Sequence, residues 1–148
     1  MWAEPVTKSP TMSAFSPIRA AHLFSFCAAG VITFQLALVA GAPWGALTQG
    51  GASPGVLPAP GRSLAAVSAV LLLGMLVIVR ARVGLLAAPR LGRLVWLVVA
   101  YCVLGVVANA ATPSAAERCL WLPVVSVMLV ASLRVARAAL PLDPRGAT

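Results

Sequence analysis

Four apolar runs fill most of the 148 residues, and their lengths decide what this chain can fold into. The first, Ala20 to Ala40, has about 21 residues and spans roughly 30 Å as a helix, the thickness of a hydrocarbon core. The others cover about 63–79, 94–111 and 115–138, the last interrupted only by Pro123 and extending to Leu140. In lipid every backbone N–H and C=O must be paired within the segment, so runs of this length must be helices. Transmembrane strands are excluded, because the runs are too long and no polar/apolar alternation marks them. The expected class is all-α: a polytopic, antiparallel bundle of four transmembrane helices over 20–140, with a largely disordered cytoplasmic tail at 1–19 and another at 141–148.

Composition agrees. Hydrophobic residues make up 61% and charged residues 9%, against about 45–50% and about 25% in soluble proteins. So few charges cannot cover the surface of a water-soluble domain. Eleven Lys and Arg face three acids, a net charge of +8. Nucleic-acid binding is set aside, because the cations sit in gaps between apolar runs and not on amphipathic faces. They read as topology signals and as anchors for anionic lipid heads. Ten of the eleven are Arg, and Ala and Val abound, a bias that suggests a GC-rich bacterial genome and hence a bacterial inner membrane.

The gaps set the orientation. Residues up to Ile18 hold three prolines and little periodicity; Met12, Phe15 and Ile18 give this tail a means of lying on the membrane surface. Ala40-Gly41-Ala42 resembles a signal-peptide cleavage site, but Pro43 disfavours cleavage, so the first run is read as a retained helix. Gly41 to Arg62 is punctuated by Gly and Pro and forms a long connection, neither helix nor long strand. The segment from Arg80 to Arg93 carries four arginines and Pro89. With four spans, Lys8, Arg19, Arg80, Arg82, Arg90, Arg93, Arg134, Arg137 and Arg145 share one side, and only Arg62 and Arg118 the other. That asymmetry puts both termini in the cytoplasm.

Polar residues then collect on the extracytoplasmic side. Gln35 lies roughly 24 Å along the first helix from Arg19, at a depth close to that of Asn109. Two amides in hydrocarbon can pair with each other, and a buried polar group is also a candidate site. Ser114-Ala-Ala-Glu117 fits a capping box, with Pro113 just before it. Arg118 has two expected places, beside Glu117 or among lipid heads. The ligand-binding candidates are Gln35, Trp44, Asn109, Thr112, Ser114, Glu117, Arg118 and Trp121. No catalytic residue, metal ligand or cofactor is assigned. No Walker pattern follows the Gly-rich loop. Cys27, Cys102 and Cys119 form no C-x-x-C pair and read as small packing residues, and His22 stands alone. No acid lies in the core of a span, which disfavours proton-coupled transport.

Two stretches resemble a group of small, uncharacterised four-helix bacterial integral membrane proteins: Gly41-Ala42-Pro43-Trp44-Gly45, followed by Gly50-Gly51, and Asn109-x-x-Thr112-Pro113-Ser114-x-x-Glu117-Arg118-x-x-Trp121-x-Pro123. The resemblance runs from helix one to helix four, and its second stretch is the more specific. It implies four spans and an outward-facing site, and it brings no activity. The expectation is a non-enzymatic protein, structural, accessory or binding a small ligand. One alternative is an oligomeric transporter or channel subunit. The other is a membrane enzyme acting on a lipid or envelope substrate through Glu117 and Arg118. The expected partners are membrane lipids, a homo-oligomer or another membrane protein, with no nucleic acid.

Overall fold

A computed structural model describes residues 15–138, and among them every regular element is helical. The elements are α1 (Pro17–Val39), α2 (Ala59–Arg82), α3 (Pro89–Gly92), α4 (Val95–Ala111) and α5 (Ala115–Ala136), with two single 3₁₀ turns, Gly45–Leu47 and Gln49–Gly51, between α1 and α2. Positions 1–14 and 139–148, with Met12 and most of the two expected tails, lie outside the described residues.

Each apolar run forms its helix, and local chemistry moves the ends. α1 starts at Pro17, not Ala20, because Ser16 caps it: its side chain accepts the Arg19 N–H at 3.3 Å, and Pro17 needs no donor in the first turn. α2 outruns the expected 63–79 at both ends. Pro60 fits its first turn, and Arg80 and Arg82 suit its last, where cations face unpaired carbonyls. α3 lies within the segment read as a connection. A side chain at Gly92 would come within 2.8 Å of the Arg82 Cα, so glycine lets α3 press on the end of α2. α5 starts after Ser114 as expected, ends at Ala136 and continues through Pro123, which leaves the Cys119 carbonyl without its usual N–H partner.

α1 packs against α2 and α5, and α4 packs against α5, whereas α2 touches α4 only lightly. Phe24, Val79, Val95, Val98 and Val135 fill the core near one end, and a smaller cluster of Leu38, Leu57 and Ala65 sits near the other. Wholly buried Ala20, Ala21, Ala28 and Ala131 let helices approach closely. Gly30 and Gly74 do not serve in this way and face open space. At the arginine-rich end, Arg82 Nη2 donates to the Ala136 and Ala138 carbonyls at 2.9 and 2.6 Å, tying α2 to the end of α5.

Three helices, α1, α2 and α5, are long and apolar enough to cross a membrane; α4 is an apolar helix of 17 residues. Large apolar side chains point outward all around: Phe26 is 80% exposed, Val70 71% and Leu104 68%. Soluble monomers rarely carry apolar surface so continuously.

Candidate functional site

The end of the molecule opposite Arg82 is closed by the segment between α1 and α2. Its path depends on left-handed backbone at Gln49, Gly50 and Gly51, with φ of 52°, 78° and 72°. Glycine adopts this freely, while Gln49 does so at a cost of about 1–3 kcal/mol. The Gln49 side chain holds the turn by donating to the Gly61 carbonyl at 2.9 Å. Gly45 must be glycine for another reason: a Cβ there would lie 2.2 Å from the Ser53 carbonyl oxygen and 2.8 Å from that of Gly55.

This segment is clasped onto the start of α5. Glu117 Oε2 accepts the Gly50 N–H at 2.8 Å and the Thr112 hydroxyl at 2.9 Å. Ser114 Oγ accepts the Glu117 N–H at 3.2 Å and donates to the Ala46 carbonyl at 3.2 Å. Trp121 Nε1 donates to the Leu47 carbonyl at 2.7 Å. Phe34 of α1 stacks on Trp44 with ring centroids 5.7 Å apart and meets Trp121 edge-on at 4.7 Å. Such ring pairs add about 0.5–1.5 kcal/mol each beyond the area they bury. The capping box is therefore half formed. Ser114 caps the helix, but the Glu117 carboxylate reaches across to the loop and does not return to the Ser114 N–H. Arg118 is exposed and makes no ion pair with Glu117 among the described residues.

Beneath the clasp lies a cavity of about 130 Å³ with walls from α1, α2, α4 and α5. Val31 and Gln35 of α1, Ser68, Leu72 and Met75 of α2, and Val125 and Met128 of α5 face Tyr101, Cys102, Gly105 and Asn109 of α4. The expected pairing of the two amides does not form. Asn109 Nδ2 donates to the Gly105 carbonyl of its own helix at 2.8 Å. Gln35 Oε1 is buried and has no hydrogen-bond partner among the described residues. Gln35 and Asn109 line the same space from different helices.

The eight candidates thus divide. Thr112, Ser114, Glu117, Trp121 and Trp44 build the clasp, Gln35 and Asn109 line the cavity, and Arg118 belongs to neither. Ser68, Tyr101 and Cys102 line the cavity and were missed in sequence. Ser68 carried a usable signal, since it falls on the buried stripe Ala65, Ala69, Leu72 and Met75 of α2. Among the described residues no three His, Cys, Asp or Glu side chains come together as metal ligands do. No protein-family model, curated protein or solved structure matches the chain. The loop around Trp44 and Gly50 and the stretch from Thr112 to Trp121 meet in space as the two halves of the clasp.

Proposed function

We propose that this chain is a four-span membrane protein of a bacterial inner membrane, with cytoplasmic termini, that binds a small ligand without catalysis in the cavity beneath its extracytoplasmic loop. At 1.5 Å per residue the 17 residues of α4 cover about 26 Å, and spans of about 17 residues cross bilayers. α4 also packs alongside α5, which is long enough by itself. Arg19, Arg80, Arg82, Arg90, Arg93, Arg134 and Arg137 gather at one end of the helices, against Arg62 and Arg118 at the other, which favours the first end as cytoplasmic.

The observation that carries the binding reading is the unpaired Gln35 Oε1. A buried acceptor without a donor costs about 1–3 kcal/mol. Gln35 lines the cavity, and a turn of its side chain toward a ligand donor there removes that cost. The enzyme alternative is disfavoured by Glu117, whose carboxylate is engaged by Gly50 and Thr112. A transport path would have to continue past the cavity through Phe24, Val79, Val95 and Val135, which are fully buried against one another.

Native mass spectrometry of the full chain, released gently from detergent, tests the reading. We expect one discrete small-molecule adduct per chain, diminished in Gln35→Leu. A bare chain, or a statistical spread of bulk lipids equal in both proteins, contradicts it.

A further inference from the structure

We propose that the cavity takes the hydroxyl end of an uncharged amphiphile dissolved in the membrane, whose apolar remainder leaves between α2 and α4. This rests on the ligand-binding reading above and specifies its ligand.

The hydrogen-bonding inventory calls for a donor. Among the described residues nothing donates to the buried Gln35 Oε1. Only an NH₂ can donate to the Gly105 carbonyl, so the 2.8 Å bond from Asn109 fixes that amide and leaves its Oδ1 as a second acceptor. Ser68 and Tyr101 add hydroxyls that donate or accept a hydrogen bond. Among the described residues no charged side chain lines the space. A charged ligand would lose its hydration with no counter-charge to replace it. A neutral hydroxyl loses far less and meets acceptors.

Size and exit limit the ligand further. The volume, about 130 Å³, is close to that of an engineered cavity of about 150 Å³ that accommodates benzene. It admits a head or a short segment, not a whole lipid. The way out is the lightly packed seam between α2 and α4. Tyr101, on the cavity wall, is 41% exposed on the outer surface of α4, so wall and lipid-facing surface meet there. A molecule entering by this seam comes from the lipid phase.

The test is photolabelling of the full chain in lipid nanodiscs with a decanol bearing a diazirine beside its hydroxyl carbon, with labelled residues mapped by peptide mass spectrometry. Label should fall on Tyr101, Cys102 or Leu72. Unlabelled decanol should compete at a concentration at least about fivefold lower than methyl decyl ether, the ratio expected for one hydrogen bond. Gln35→Leu should narrow that ratio. Benzyl alcohol, which fills the cavity without a tail, should compete more weakly than decanol at equal membrane concentration. Label confined to outward-facing Leu97 and Leu104, ether competing as well as alcohol in the unaltered chain, or benzyl alcohol matching decanol would each overturn the assignment. If the assignment falls while the discrete adduct persists in native spectra, the ligand class is wrong and the binding reading stands. Loss of both removes the site.

Discussion

Glu117 Oε2 and the Gly50 N–H, 67 residues apart in sequence, lie 2.8 Å from each other. This bond joins the loop after α1 to the first turn of α5. A carboxylate at N3 also complements the positive end of the helix dipole, so one side chain serves the helix and the loop.

Glu117→Ala leaves the Gly50 N–H and the Thr112 hydroxyl without their acceptor. We expect a loss of about 1.5–3 kcal/mol, the range for hydrogen bonds to a charged group. Glu117→Gln keeps a neutral acceptor of roughly half the strength and should lose less. Thermal unfolding in detergent ranks the three proteins. Hydrogen exchange should speed up at residues 45–51 in Glu117→Ala and stay unchanged in the α1–α2 core.

Two glycines should respond in opposite directions to the same added methyl. Gly45→Ala drives a Cβ into the backbone oxygens of Ser53 and Gly55. Neither oxygen can swing away as a side chain would, and a loss of about 1–3 kcal/mol is expected. Gly74 sits in a helix with nothing within 4 Å of where the Cβ would be. There Gly74→Ala should gain about 0.4–1 kcal/mol by restricting the unfolded chain. Equal effects at the two sites in a melting comparison would mean that the loop does not follow the path described.

At the opposite end, Arg82→Met removes the donor to the Ala136 and Ala138 carbonyls. The expected cost is about 1.5–3 kcal/mol. Arg82→Lys keeps the positive charge near the end of α5 but not the planar fork, and should fall between. Fraying of α5 beyond residue 133, followed by hydrogen exchange, separates this local loss from global unfolding.

What the sequence disclosed, and what it hid, follows from the range of the interactions. Helix positions were legible because lipid leaves one choice for a long apolar run, and the Ser114 cap because its partner is three residues away. The shared depth of Gln35 and Asn109 followed from counting residues along two rods. Their failure to pair did not, because it depends on a gap between four helices and on Asn109 turning to a carbonyl of its own helix. The Glu117–Gly50 bond was hidden for the same reason. A capping box and a loop clasp demand the same residues at the same spacing, and only the fold decides where the carboxylate goes. Gly92 looked like part of a linker, although its lack of a side chain is what seats α3 on Arg82.

The most direct check is labelling of single cysteines with a membrane-impermeant maleimide in intact cells. The background is Cys27→Ser/Cys119→Ser/Cys102→Ala, with Ala52→Cys, Leu86→Cys or Ala115→Cys added in turn. Four crossings with the arginine-rich end inside require positions 52 and 115 to react from outside and position 86 to react only after lysis. Reaction of 86 in intact cells with 52 and 115 protected would invert the protein. Matching behaviour of 86 and 115 would mean that α4 does not cross, and the site beneath the loop would lose its membrane setting.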